Sequence, residues 1–223
     1  MVARLRRRKT YRIIAHRPYD RPIADRLPSV MHRGALEQLE ALTNPRLRQE
    51  RDARKKIRSE DVGDPPNELV LASFVYSGAS RFTDGSFGVY YAALERATAI
   101  AESRYHTERF LTSAGMPPTE VFKRVLGATI DGVYEDVRDR PASDPLYDPD
   151  PARYAQSQAF ALGVYARDES DGIVYRSVRA EDGTCVAAFR PRRISHCTMD
   201  ETLLFAFDGE RIDAILRVET AGL

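Results

Sequence analysis

The 223-residue sequence has no tryptophan and only two cysteines, Cys185 and Cys197. Two cysteines cannot build a disulfide framework, and neither lies in a CxxC pair or a Cys/His array with zinc spacing. No apolar run approaches the roughly 18 residues of a membrane helix, and no apolar segment follows the basic start of the chain. We therefore expect a cytoplasmic protein in a reducing compartment, with neither a membrane span nor an export signal.

Familiar catalytic signatures are also absent, since the sequence contains no GxGxxG, GxxxxGK[ST], HExxH or GxSxG. Glu102 and His106 have the i, i+4 spacing of metal ligands on a helix, but two ligands do not make a site, so no metal is predicted. We expect His106 to be a helix-face residue bonded to its neighbours. His196 and Cys197 are adjacent in a predicted strand, point to opposite faces and form a poor catalytic pair.

The charge is divided unequally along the chain. Residues 1–60 hold 17 Lys/Arg and 7 Asp/Glu, whereas residues 61–223 hold 17 and 26. The basic segment predicts a solvated arm, or an arm packed on the acidic remainder. Nucleic acid is the lesser alternative, because no recognition module accompanies the charge and Tyr11 and Tyr19 do not form a stacking series.

Apolar patterning with Gly and Pro breakers predicts an α+β fold. The clearest helix is 94–113, which has no internal Gly or Pro, and residues 141–151, with four prolines, predict an irregular acidic loop. The last strands are expected to form a meander. Predicted strands are 10–16, 69–78, 88–92, 121–136, 173–180, 184–191, 194–199, 201–209 and 211–219, and the other helices are 34–42, 153–166 and, as a helix or an extended arm, 44–61.

We interpret the chain as a single domain with a basic N-terminal extension. Residues 1–68 hold an opening strand and a basic helical or loop extension, and residues 69–223 form the core. Within the core, Arg81 is predicted in a polar loop, Tyr91 at the end of a strand and Glu102 on the following helix. A helix carboxylate near a loop arginine is a structural ion pair or a catalytic group, and spacing alone favours the ion pair.

Two longer motifs shift the balance from a structural ion pair towards a catalytic group. SRFTDGSFGVYYAALERATAIAE, residues 80–102, resembles the signature of RES-domain proteins, in which a Gly-Arg-Trp-like loop precedes a strand ending in Tyr and an Ala-x-x-Glu helix. YAQSQAFALGVYARDESDGIVYRSVR, residues 154–179, resembles the family's Tyr-x-x-Ser-Gln helix and Gly-Ile-x-Tyr-x-Ser-x-Arg strand. The Arg, Glu and Ser that name the family fall on Arg81, Glu102 and Ser177.

The resemblance implies a fold like that of ADP-ribosyltransferases, with mixed and antiparallel sheets and a few helices. It implies that NAD is a substrate rather than a cofactor, and that its nicotinamide N-glycosidic bond is cleaved. Members act as toxins paired with an Xre-like antitoxin, so nucleic acid is met only through the antitoxin. The acceptor, which is phosphate, water or a protein, stays open, as does homo-oligomerisation.

The residue types suit this chemistry. Glu102 can stabilise the oxocarbenium-like ribose that forms as nicotinamide leaves. Arg81 offers a planar fork for the pyrophosphate, and Arg12 a second one. Tyr91 can stack on the cationic nicotinamide, and Ser177 can bind the nicotinamide amide or orient Glu102. Each has an ordinary structural alternative, such as a salt bridge for Arg81 or a half-buried strand aromatic for Tyr91.

Two other functions stay open: ADP-ribosylation of a protein target, and an inactive RES-like module whose basic arm binds nucleic acid. The sequence departs from the family pattern at Phe82, where Trp is common, and at Cys185, where Asn is frequent. A charged insertion over 34–68 also separates the opening strand from the core. These departures bear on substrate preference and partner contacts more than on the chemistry.

Overall fold

The computed structural model describes residues 1–15, 67–75 and 78–218. This part of the chain forms an α+β fold, which confirms the predicted class. None of its helices is long and apolar enough to cross a membrane. The predicted helices over 34–42 and 44–61 lie outside the described residues.

The described residues form seven strands and three α-helices. The strands are β1 (Val2–Ala15), β2 (Tyr90–Ala93), β3 (Thr119–Asp136), β4 (Gly172–Arg176), β5 (Thr184–Ala188), β6 (Ile194–Phe207) and β7 (Ile212–Val218). The helices are α1 (Glu68–Val75), α2 (Arg96–Ser113) and α3 (Ala155–Arg167). The predicted helices over 94–113 and 153–166 are confirmed to within two residues.

One sheet contains all seven strands in the order β1-β2-β5-β4-β3-β6-β7. Because β1 also pairs with β3, the strands β1, β2, β5, β4 and β3 close into a ring. The β3–β4 pairing is parallel and the others are antiparallel. The predicted terminal meander is wrong, because β6 leaves β5 and pairs along β3 instead.

Helix α1 corrects a predicted strand, since the apolar run LVLASFVYSG begins as a helix at Glu68. The side-chain oxygen of Asn67 accepts hydrogen bonds from the backbone nitrogens of Leu69 (3.1 Å) and Val70 (3.3 Å), which caps the first turn. Val70 and Phe74, one turn apart, are both buried. A short apolar run has no periodicity that separates a buried strand from a buried helix. The Asn67 cap is the local feature that favours the helix.

The strands predicted over 194–199 and 201–209 are one strand, β6. Its register against β3 shifts between Val125 and Leu126, which leaves Asp200 as the extra residue of a bulge. Asp200 lies 3.5 Å from the ammonium of Lys9 on β1. The polar residues that resemble a break in the sequence therefore mark a bulge in a continuous strand.

The opening strand is longer than the predicted 10–16, since β1 starts at Val2 and pairs with β3 from Val2 to Ala15. The basic residues Arg4 and Arg6–Lys9 belong to this strand and are exposed. A bulge lies between Leu5 and Arg8, and it includes a positive φ of 45° at Arg7. The start of the basic segment is thus solvated, as expected, but on a paired strand.

Two core layers cover opposite faces of the central strands, because successive side chains of a strand alternate. The layer on the α2 side contains Tyr91, Tyr175 and Cys185. The layer on the α1 side contains Tyr90 and other buried side chains of the same strands. Alternation thus assigns each side chain of the central strands to one face or the other.

Strands β4 and β5 approach each other closely at Gly172, the first residue of β4. This glycine has a φ of +156°, and a Cβ there would lie 2.1 Å from the backbone oxygen of Ala187. We expect Gly172→Ala to destabilise the fold by several kcal/mol, because backbone atoms of a paired strand cannot move aside. Thermal and urea unfolding measure the change.

Gly163→Ala on α3 is the matched control. A Cβ at Gly163 meets only the far end of Arg167, at 3.7 Å. Because alanine is the better helix former, this variant should be neutral or more stable, by up to about 1 kcal/mol. Equal unfolding midpoints for the two variants would contradict the close approach of β4 and β5.

Candidate active site

The carboxylate of Glu102 is held by a hydrogen bond from the hairpin that joins β4 to β5. Ser177, which directly follows β4, donates its hydroxyl to Glu102 Oε1 at 2.6 Å. The same hydroxyl oxygen accepts the backbone nitrogens of Arg179 and Ala180, each at 3.0 Å. With two donors fixing its oxygen, Ser177 has its proton directed at the carboxylate. Of the two predicted partners of Ser177, the nicotinamide amide and Glu102, the structure shows a contact with Glu102.

Two other side chains approach the same carboxylate. The thiol of Cys185 on β5 lies 3.9 Å from Oε1, and Nε2 of His106 lies 3.9 Å from Oε2. Burial, followed by the charge of Glu102, raises the pKa of Cys185, so this thiol stays protonated. The Glu102 side chain is 25% exposed. Ser177 therefore anchors one carboxylate oxygen, and the other lies on the side of His106.

Arg81 is buried beside this carboxylate, in the loop between α1 and β2. Its Nη1 donates to the backbone oxygen of Leu146 at 2.8 Å, and its Nη2 donates to the hydroxyl of Tyr154 at 3.2 Å. The guanidinium also lies 4.6 Å from the centroid of the Tyr154 ring. These contacts use two of its five N–H donors and fix the plane of the fork.

Tyr91 anchors the loop that carries Arg81. Its hydroxyl accepts the backbone nitrogen of Phe82 at 2.9 Å and lies 2.9 Å from the hydroxyl of Ser80. The amide of Gln158 on α3 donates to the backbone oxygen of Ser80 at 3.0 Å. Burial raises the pKa of Tyr91 to about 12, so the phenol is neutral at physiological pH.

Arg179 is a second guanidinium on the side of Glu102. Its Nη2 donates to the backbone oxygen of Pro149 at 2.9 Å, and its guanidinium carbon lies 3.4 Å from the centroid of the Tyr105 ring. Burial raises the pKa of Tyr154, and the charges of Arg81, Arg179 and Glu102 all act on that hydroxyl. The Tyr154 hydroxyl therefore lies within electrostatic range of both guanidinium groups and of the carboxylate.

The acidic, proline-rich segment predicted as an irregular loop contacts both guanidinium groups. It contains two 3-10 turns, Pro145–Tyr147 and Pro151–Arg153, whose caps are Asp144 and Asp150. These aspartates accept backbone hydrogen bonds within the segment, at 2.9 and 3.0 Å. The segment presents backbone oxygens and the ring of Tyr154 to the two guanidinium groups.

The structure brings together Arg81, Tyr91, Glu102 and Ser177 but not Arg12. Alternation along β1 places Arg12 on the face opposite Glu102. Its Nη1 donates to the backbone oxygen of Tyr91 at 2.8 Å, and its guanidinium lies 5.0 Å from the Tyr90 ring. Burial lowers the pKa of Arg12. Its contacts are those of a residue that ties β1 to β2.

Sequence reasoning missed three members of the cluster: Arg179, Tyr105 and Tyr154. Tyr154 and Arg179 stand in the motif over 154–179, where Arg179 follows Ser177 by two residues, and Tyr105 lies on α2. Their shared surroundings depend on the hairpin turn after β4 and on the fold of the proline-rich segment, neither of which has a periodic pattern. Among the described residues, no three His, Cys, Asp or Glu side chains are grouped to hold a metal ion.

Comparisons with known proteins identify a family and a relative that this chain resembles. The family model of the RES domain matches residues 65–208 of the chain. A relative from Sinorhizobium fredii (strain NBRC 101917 / NGR234), named "Uncharacterized protein y4oC", is 26% identical over 191 residues, which cover 84% of this chain and 78% of the relative. The matched segment contains all the clustered residues, whereas Arg12 precedes it.

Replacing Tyr91 tests the anchoring of the Arg81 loop. We expect Tyr91→Phe to lower the free energy of unfolding by about 1–3 kcal/mol, because the buried backbone N–H of Phe82 loses its acceptor. Tyr11→Phe is the control, since Tyr11 packs against the same core layer and its ring contact with Lys9, at 5.1 Å, survives the change. Equal stabilities of the two variants in urea would contradict the anchoring role.

Proposed function

Because the chain belongs to the RES-domain family, the toxin components of toxin–antitoxin pairs, we propose that it consumes NAD by cleaving the bond between nicotinamide and ribose. The observation that carries the proposal is the Glu102 carboxylate, fixed by Ser177 at 2.6 Å, next to two guanidinium groups. NAD enters as the substrate, and the acceptor of the ADP-ribosyl group is phosphate or water.

Glu102 acts on the ribose. As the glycosidic bond breaks, its electron pair moves to the pyridinium nitrogen, nicotinamide leaves as a neutral molecule and positive charge develops on the ribose. A carboxylate that is already oriented stabilises this charge without reorganising at the moment of reaction. The bond from Ser177 supplies that orientation through Oε1 and leaves Oε2 to face the sugar.

Arg81 and Arg179 bind the pyrophosphate. A guanidinium presents parallel N–H donors that match two phosphate oxygens, and both groups are fixed by contacts that leave further donors available. Arg12, the other predicted binder, lies on the opposite face, so this role passes to Arg179.

Tyr91 offers its ring to the nicotinamide. The ring belongs to the core layer on the α2 side, and its hydroxyl is fixed by the Arg81 loop. Nicotinamide is cationic before cleavage and neutral after it, so a cation–π contact of about 0.5–2 kcal/mol favours the bound substrate over the product. Tyr91 thus joins the pyrophosphate site to the nicotinamide site.

RES-domain proteins typically pair with an antitoxin. We extend the proposal to an Xre-like antitoxin that closes the volume between Glu102 and the proline-rich segment. Such a partner would protect the producing cell by blocking NAD entry, and any contact of the toxin with DNA would then run through the partner.

Glu102→Gln tests the chemistry directly. The amide keeps the size of the side chain but has no negative charge, so we expect nicotinamide release from NAD to fall about 100- to 1,000-fold, by the magnitudes known for electrostatic stabilisers. Chromatography of nicotinamide and of the ADP-ribose product, with and without phosphate, measures the rate and separates phosphorolysis from hydrolysis.

Glu108→Gln, on the same helix, is the matched control. Glu108 accepts the backbone nitrogen of Ile212 at 2.9 Å, and an amide oxygen can keep that bond. This variant should retain the wild-type rate. Release of nicotinamide by Glu102→Gln at the rate of Glu108→Gln would contradict the role of Glu102, and no release by the wild-type protein would favour a protein-modifying or inactive module.

Ser177→Ala separates orientation from binding. Without its hydroxyl the carboxylate keeps its charge but loses its fixed position, so kcat should fall about 10- to 100-fold while KM for NAD changes little. Ser195→Ala on β6, whose hydroxyl lies at the surface, should leave both constants unchanged. An increase in KM with constant kcat would instead place Ser177 in the binding of the substrate.

A further inference from the structure

His106 lies next to the open oxygen of Glu102. It stands one helical turn after Glu102 on α2, and its Nε2 is 3.9 Å from Glu102 Oε2. At that separation the two atoms do not bond each other, but an oxygen atom beside them can lie about 2.8 Å from both. The pair therefore forms a cradle for one hydroxyl or water oxygen, at the side of the carboxylate that Ser177 leaves open.

The surroundings keep this imidazole neutral. The charged groups that face it are Glu102 and Arg109 on its own helix, Arg81 from the loop before β2 and Arg179 from the hairpin after β4. Burial is the main cause that lowers the pKa of His106, and the three arginines lower it further against the opposing effect of Glu102. A neutral imidazole has a lone pair with which to accept a proton.

The same side chain also has a route to solvent. The His106 side chain is 59% exposed, whereas that of Glu102 is only 25% exposed. A proton that the ring receives can therefore be passed on to water. Glu102 and Cys185 have no comparable access, and the thiol of Cys185 already holds its proton.

We propose that His106 is the general base that deprotonates water when water is the acceptor of the ADP-ribosyl group, with Glu102 and His106 together holding the water oxygen. This assignment rests on the proposed function. A lone pair of the acceptor oxygen forms the bond to ribose C1′, and the C1′–N electron pair leaves with nicotinamide. The acceptor proton moves to Nε2 of His106 and then to solvent, so the net reaction releases one proton.

His106→Gln tests this role through the pH profile. General-base catalysis contributes about 100- to 10,000-fold to a rate. The kcat/KM for hydrolysis of NAD at pH 7.5, measured without phosphate, should therefore fall at least 100-fold in His106→Gln. The wild-type profile should decline at a pH below the ordinary histidine pKa of about 6.5, because burial lowers the pKa of His106 and its protonated form cannot accept a proton. In His106→Gln this decline should disappear, since glutamine does not titrate.

Azide distinguishes a base from a structural residue. It is an anionic acceptor with no proton to lose, so it needs no base, and its addition should restore cleavage of NAD by His106→Gln with formation of an azido product. His196→Gln is the matched control, because His196 is an exposed histidine on β6. This variant should keep both the wild-type rate and the wild-type pH profile.

Two results would overturn the assignment: a His106→Gln variant that keeps the wild-type acid decline, or one that azide does not restore. Either result, in a preparation whose wild-type protein releases nicotinamide, contradicts the role of His106 and leaves the proposed function intact. A wild-type protein that releases no nicotinamide at any pH contradicts the proposed function, and the role of His106 falls with it.

Discussion

The hydrogen bond from Ser177 to Glu102 joins the hairpin after β4 to helix α2 in the candidate active site. Ser177 is fixed by its own backbone, whose nitrogen donates to the oxygen of Gly183 at 2.7 Å across the hairpin turn. The hairpin is in turn fixed by the pairing of β5 with β2, the strand that carries Tyr91. The position of one carboxylate on α2 therefore depends on a hairpin that begins 70 residues later in the chain.

The proline-rich segment positions the two arginines, as the hairpin positions Glu102. Its backbone oxygens at Leu146 and Pro149 accept from Arg81 and Arg179, and Tyr154 lies against the guanidinium of Arg81. Carbonyl oxygens orient a guanidinium without neutralising it, so both groups keep their charge for an anionic substrate. A carboxylate in the same place would form an ion pair and reduce that attraction.

Much of the architecture could be predicted because it depends on local patterns. Helix α2 has strong helix formers and no breakers, and β3 has β-branched residues over its whole length. The misassigned helix α1 depends on the single cap residue Asn67, and the wrong meander on the pairing of β6 with β3, which no local pattern encodes. Tertiary pairing overrides local preference in the case of β6.

The candidate site likewise contains residues that sequence motifs predict and residues whose positions depend on tertiary contacts. Glu102, Arg81, Tyr91 and Ser177 could be named because they stand at fixed places in sequence motifs, and the structure places them together. The sequence predicts that Arg12 binds the pyrophosphate, yet alternation along β1 directs it to the other face. Arg179 could not be recognised from sequence, since its position depends on the hairpin turn and on a contact with Pro149.

A crystal structure of Glu102→Gln with bound NAD would locate the substrate, because this variant should bind NAD without cleaving it. We expect a pyrophosphate contacted by Arg81 and Arg179, with ribose C1′ next to residue 102 and nicotinamide on the ring of Tyr91. A pyrophosphate bound at Arg12 on the opposite face, or a ribose remote from residue 102, would contradict this expectation.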